Sequence, residues 1–222
     1  LNPTVLFNDN PDSDGLTNWT QLGGVWNLTS DAYSGTSAIT SSISQPYSNF
    51  ESKTLQINNS INTEGAEKVS IQYFAKWDLE RSFDYVQLEG SIDGTFWTPL
   101  CGVLTKPGAP DENNTYSNKS SSENMFQPDN EPLYDGDTQG KWNKEEITVD
   151  NESNSFIFNQ STVYLRFHFK TDGSNSQDAY YNANFEGFSF DDFTCIVIEN
   201  APLGVNELNA NVCSIYPNPS NG

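Results

Sequence analysis

Val69-Ser70-Ile71-Gln72-Tyr73-Phe74-Ala75-Lys76-Trp77 places Val69, Ile71, Tyr73, Ala75 and Trp77 on one side and Ser70, Gln72, Phe74 and Lys76 on the other. Successive side chains of an extended strand point to opposite faces, so this period of two predicts a half-buried β-strand with the first set toward a core. The signal recurs on both sides of this stretch. Val86, Leu88 and Gly90 alternate with Gln87, Glu89 and Ser91, and the turn pair Asp93-Gly94 leads into the apolar segment 96–100, which predicts a hairpin. Val163, Leu165, Phe167 and Phe169 interleave with Tyr164, Arg166, His168 and Lys170, predicting a strand with one core face and one wet face.

Weaker strand candidates are 5–7, 25–29, 37–40, 54–57, 145–149, 188–190 and 193–198, and no convincing helix appears. About ten short strands separated by Gly, Asn, Asp and Pro turns predict an all-β fold, an antiparallel two-sheet β-sandwich of jelly-roll-like type. Fourteen Phe, ten Tyr and five Trp among 222 residues supply the large side chains such a core needs. Residues 106–140 break the alternation. A loop of that length is read either as a binding rim or as a mobile insertion.

Thirty acidic against ten basic residues give a formal charge of −20, so nucleic acid and anionic membrane surfaces should be repelled. The acidity is read either as favouring cations or as keeping an extracellular protein soluble. No run of about 18 apolar residues occurs, so no membrane-spanning helix is expected. Leu1 is not an initiator, and no basic-then-apolar leader is present, so any signal peptide or upstream domain is expected to lie outside these residues.

Catalytic chemistry finds little support. Cys101, Cys195 and Cys213 leave at least one thiol unpaired within the chain and match no zinc spacing. His168 sits between Arg166 and Lys170 on the polar side of a strand, and no Gly-x-Ser-x-Gly, phosphate-loop or His-Glu-x-x-His motif occurs. No catalytic residue and no zinc are therefore expected here.

Several segments together resemble the MAM-like and immune-inhibitor-A-like accessory β-sandwiches that follow secreted metallopeptidase domains. They are Trp19 and Trp26 around Gly23-Gly24, the run 34–38, the run Phe83 to Ser91, the run Asp93 to Trp97, Leu165-Arg166-Phe167 through Gly173, and Gly187 to Phe193. Leu100-Cys101-Gly102, the run 132–136 and Trp142 through Ile147 resemble the variant attached to flavobacterial zinc carboxypeptidases. The tail Ile215 to Gly222 resembles the opening of type IX secretion sorting domains of Bacteroidetes. The resemblance implies an accessory domain over 1–200, a linker over 201–211 and a truncated sorting domain over 212–222. It implies a secreted or cell-surface parent, a zinc metallocarboxypeptidase, whose N-terminal peptidase domain is the module's partner. The alternative is a carbohydrate-binding or adhesive module, with Trp142, Tyr180 and Tyr181 as ligand-facing aromatics; Trp77 is read as core because it continues the Val69 face.

Resemblance to calcium-bearing jelly rolls further implies a structural calcium where the first strand, an early loop and the last strand converge. The nominated ligands are Asp9, Asp31, Ser34 and Asp192, with Asp191 as substitute. A local rival is Asn10-Pro11-Asp12-Ser13-Asp14-Gly15, which resembles an EF-hand opening, although Gln21 stands where the bidentate Glu belongs.

Overall fold

The computed structural model describes residues 4–108, 127–173, 175 and 183–198. Among the described residues thirteen strands are arranged as two main antiparallel sheets and one small two-stranded sheet. In chain order they are β1 (Thr4–Asn8), β2 (Trp19–Leu22), β3 (Asn27–Thr29), β4 (Ala38–Thr40), β5 (Ser52–Ile57), β6 (Lys68–Asp78), β7 (Tyr85–Ser91), β8 (Thr98–Pro99), β9 (Lys106–Pro107), β10 (Pro132–Leu133), β11 (Asn143–Val149), β12 (Tyr164–Lys170) and β13 (Gly187–Ile198). The first sheet runs β11-β6-β13-β4-β3, with β1 also on β13; the second runs β2-β5-β12-β7-β8. The predicted sandwich is therefore present. A one-turn helix, α1 (Pro11–Asp14), is the local structure in the EF-hand-like stretch; Asn10 caps it by accepting from the Asp12 N–H at 3.0 Å.

The alternating positions of the founding stretch line the core as expected: Val69, Ile71, Tyr73 and Ala75 are buried, and from the opposing sheet so are Leu165, Phe167 and Phe169. Rings join the two sheets directly. Phe167 stacks on Phe190 with centroids 4.3 Å apart, and Trp19, Trp26, Tyr73 and Phe193 pack around the pair.

The last strand solves a parity problem. Phe188 and Phe190 are even-numbered and Phe193, Cys195 and Val197 odd-numbered, yet all five are buried. A strict period of two would turn one half outward. A bulge between Asp191 and Thr194 inserts the extra residue, with Asp192 at φ 52°, a left-handed conformation that Asp tolerates. The two segments predicted separately, 188–190 and 193–198, are thus one strand.

The second sheet departs from expectation in one respect, because the outer side chains Gln87, Glu89 and Ser91 of β7 are buried rather than wet. Arg166 and His168 on β12 hydrogen-bond Glu89, and Gln87 Nε2 donates to Glu131 Oε2 at 3.2 Å and to the Pro132 carbonyl at 3.1 Å. Part of the predicted loop 106–140 accordingly belongs to the fold. β9 pairs with β10, Tyr134 is fully buried, and Tyr134 and Val86 exchange backbone hydrogen bonds. The segment 109–126 lies outside the described residues, as do the linker and sorting stretch of 201–222.

Candidate functional site

The outer face of the first sheet carries a polar groove of about 400 Å³. Its floor is made by the β6 residues that alternate away from the core, Lys76 and Asp78, beside Ser189 and Gly187 on β13 and Thr40 on β4. Ser189 Oγ donates to Thr40 Oγ1 at 2.9 Å, so strand pairing has already fixed the hydroxyl array. Residues 137–140 and the approach to β13 from Asn184 also line the groove.

Beside the groove, joined to it through Lys76, stands an aromatic platform. Tyr33, on the loop between β3 and β4, lies flat on Phe74 with centroids 3.4 Å apart and 9° between planes, yet stays 46% exposed. Trp142, just before β11, meets Tyr33 edge-on at 6.5 Å, and the Lys76 ammonium lies 5.6 Å from the Trp142 ring centroid. Lys76 also pairs with Asp31. Such a surface offers apolar ring faces beside hydroxyl, amide and charged hydrogen-bonding groups.

Of the nominated chain-end residues, Asp191 and Asp192 meet the Ser34 loop and hold this platform in place. Asp191 Oδ2 accepts the N–H groups of Tyr33 and Ser34, each at 3.0 Å, and Ser34 Oγ donates to Asp192 Oδ1 at 3.0 Å. Asp9 is buried and ties the end of β1 to the bulge region, its N–H donating to the Phe193 carbonyl at 2.9 Å. Asp9 Oδ1 accepts from Asn18 Nδ2 at 2.8 Å, whereas Oδ2 has no hydrogen bond. Burial raises the proton affinity of both Asp9 and Asp191 against the hydrogen bonds that oppose it. Asp31 is the exception: its ion pair with Lys76 directs it to the groove. In the rival EF-hand-like stretch, Asp12 Oδ1 accepts from the N–H and hydroxyl of Thr36 at 2.8 and 2.9 Å, which latches α1 to the early loop.

Sequence reasoning missed one constellation. Glu80, Asp84 and Asp172, all buried, bring carboxylate oxygens within 4.8 Å of one another. Asp84 Oδ2 accepts from the Tyr47 hydroxyl at 2.6 Å and Oδ1 from the Asp172 N–H at 2.7 Å. Burial pushes Asp84 up to about 8 despite those donors. The available signal was Glu80 and Asp84 interleaved with Leu79, Phe83 and Tyr85; their convergence with Asp172 is a tertiary fact.

The other nominated residues place as follows. Trp77 packs on Tyr134 and Phe188 and donates Nε1–H to the Asp135 carbonyl at 2.9 Å, while one side of it lines the groove. Tyr180 and Tyr181 lie outside the described residues. His168 Nδ1 is 3.3 Å from Glu89 Oε1 and its Nε2 3.3 Å from Ser52 Oγ, beside the Arg166 guanidinium that stacks on Trp97. Burial would raise Glu89, but hydrogen bonds from His168 and Arg166 outweigh it and hold the carboxylate low. Cys195 is a buried free thiol pushed up to about 12 by burial, and Cys101 is free and exposed; Cys213 lies outside the described residues. Among the described residues no helix is long and apolar enough to cross a membrane.

No protein-family model and no curated protein matches the chain. Among solved structures it is similar to the CBM22-1 xylan-binding domain from Paenibacillus barcinonensis Xyn10C, at 13% identity and TM-score 0.45 over 90% of this chain and 97% of that one. It is also similar to the K3 cleaved adhesin domain of Lys-gingipain from Porphyromonas gingivalis w83, at 13% identity and TM-score 0.44 over 87% and 99%. A third is TmCBM61 in complex with β-1,4-galactotriose, at 11% identity and TM-score 0.45 over 89% and 100%. Likeness at this level carries neither a ligand nor an activity to this chain.

Proposed function

We propose that this β-sandwich is a non-catalytic glycan-binding module of a secreted or cell-surface protein, with the groove on the first sheet as its binding site. The observation that carries the reading is a groove with a fixed hydroxyl and amide lining next to the Tyr33–Trp142 platform, the two meeting at Lys76. A sugar presents hydroxyls on its rim and C–H groups on its face, so it needs both kinds of surface at once. Glycan-array screening of the purified chain tests it. A defined glycan is retained, and Trp142→Ala or Tyr33→Ala lowers affinity by about tenfold or more, the scale of a central aromatic contact. Absence of glycan binding, or binding indifferent to both variants, overturns the reading.

The sequence resemblance supports a finer setting: an N-terminal zinc carboxypeptidase domain in the same parent chain, type IX export and help with substrate docking. The upstream reading frame tests the parent. A reporter fused to the complete C-terminal region tests export; its retention in the periplasm of a competent host rejects that route.

A further inference from the structure

The groove on the first sheet is lined chiefly by negative charge. Asp31, Asp78, Asp137 and Glu186 bring carboxyl groups to it against the single ammonium of Lys76, which Asp31 already holds. Among the described residues no Lys, Arg or His is ion-paired with Asp78, Asp137 or Glu186. Asp78 ends β6 and forms an isolated antiparallel bridge with Asp137, so two acids face each other across strands, which costs stability. These side chains do not form a chelate: among the described residues only Glu80, Asp84 and Asp172, away from the groove, gather three acids' oxygens within 4.8 Å of one another. The groove acids instead set the sign of the field over an opening whose other polar groups are neutral, the hydroxyls of Thr40 and Ser189 and the amides of Gln139 and Asn184.

We infer that the groove sorts glycans by charge: neutral and ammonium-bearing sugars enter it, and sugars carrying carboxylate or sulfate are turned away. The inference rests on the glycan reading above and makes Asp137 and Glu186, with Asp78 behind them, the specificity-determining residues of that site. A cleft walled by protein focuses field lines, so its own charges count for more than the same charges on an open surface. At about 0.15 M salt the Debye length is about 8 Å, which screens acids elsewhere on this −20 chain but not those that a bound sugar touches. An anion set beside an unpaired carboxylate makes the wrong partner costly, whereas sugar hydroxyls and an ammonium find acceptors there. Lys76 does not reverse the sign, because Asp31 pairs with it and the Trp142 ring lies beside it.

An array carrying neutral, amine-bearing, uronate-bearing and sulfated oligosaccharides on shared backbones, read in 0.15 M salt, tests it. The retained set is expected to contain no uronate or sulfate. The double variant Asp137→Asn/Glu186→Gln should narrow the gap between neutral and anionic forms by about tenfold, the modest end of what like-charge contacts cost. Glu64→Gln/Glu152→Gln removes the same charge from exposed sites outside the groove and should leave that gap as it is. Asn at position 137 keeps an oxygen for the Gln139 N–H, which Asp137 Oδ1 accepts at 2.5 Å, so the fold is expected to survive; if near-UV circular dichroism collapses, Glu186→Gln decides alone. Anionic forms retained as well as neutral ones, a gap unmoved by the groove variant, or equal narrowing by the distant pair overturns the inference. An empty array overturns the glycan reading instead, and the groove's field is then decided by tryptophan quenching, since Trp77 lines it. The groove variant should shift the caesium-to-iodide quenching ratio toward iodide by about twofold or more, a small part of the concentrating power of charged clefts. An unshifted ratio rejects the field.

Discussion

The Tyr47 hydroxyl donates to Asp84 Oδ2 at 2.6 Å inside a pocket where Glu80 and Asp172 bring two further buried carboxyl groups. Three anions cannot share such a volume cheaply, and burial raises Asp84 from the ordinary carboxylate value of 3.8 to about 8. The native state therefore holds a proton that the unfolded chain releases. This group's stabilising contribution is complete below pH 3.8 and is lost as the pH rises through about 8. Asp78 acts with the same sign up to about 6, so the interval from 6 to 8 isolates Asp84. Chemical denaturation should show stability falling across that interval with a slope approaching about 1.4 kcal/mol per pH unit, the limit for one proton. Asp84→Asn keeps an acceptor for Tyr47 and should flatten the slope. An unchanged slope rejects the buried proton.

Phe167 ties the two sheets together. It is fully buried and its ring meets those of Trp19, Trp26, Tyr73, Phe188, Phe190 and Phe193. Phe167→Ala should cost about 3–5 kcal/mol in urea unfolding, the range for emptying a large core site. Trp97→Ala, which removes only the ring stacked 4.1 Å from the Arg166 guanidinium, should cost about 1 kcal/mol or less.

The sheet core was legible because a period of two survives in any context: the three strong strands appear as β6, β7 and β12, each within a residue or two of its predicted span. The bulge was legible only in part. Asp191-Asp192 announced an interruption, but the parity switch from Phe190 to Phe193 shows why the interruption is needed. The short strands β2, β9 and β10 left little local signal, since pairing with neighbours rather than alternation makes them, whereas β8 is the return arm of the hairpin that Asp93-Gly94 predicts. Resemblance nominated Asp9, Asp31, Ser34 and Asp192, with Asp191 as substitute, for one site; Asp31 turns to Lys76 instead, and Tyr33 escaped notice. Its place on Phe74 depends on Asp191, more than 150 positions away, binding its backbone.

The proposed chain-end calcium site makes a claim separable from the groove. Asp191 already accepts three backbone N–H groups, so an ion there would rely on Asp9 Oδ2 and Asp192. Calcium should raise the melting temperature by mass action and a chelator should lower it. Asp192→Ala should abolish that response and Asp14→Ala preserve it. An identical melting temperature in calcium and chelator, with no metal by elemental analysis, rejects this site.

Peptidase activity is not expected from these residues. The single histidine, His168, is engaged by Glu89 and Ser52, and the one described thiol in the core, Cys195, is held protonated by burial. Purified chain with added zinc should release no C-terminal residue from a peptide; reproducible, chelator-sensitive release would contradict this.

The loop that presents Tyr33 can be perturbed without touching an aromatic ring. Gly35 has φ 62°, and a Cβ there would fall 1.6 Å from Asp12 Oδ2, the carboxylate whose other oxygen holds Thr36. Gly65 has a similar φ of 74° but nothing within 4 Å of an added Cβ. Gly65→Ala thus measures the left-handed backbone cost alone, about 1–2 kcal/mol. Gly35→Ala adds a collision that breaks the Asp12–Thr36 latch, and it should destabilise by at least about 1 kcal/mol more, the worth of a charge-assisted hydrogen bond. Because Ser34 and Tyr33 hang from Asp191 immediately before this turn, Gly35→Ala should also weaken glycan retention while Gly65→Ala leaves it intact. Thermal melts and glycan binding on both variants check the two halves, and equal behaviour of the pair would show that the latch does not position the platform.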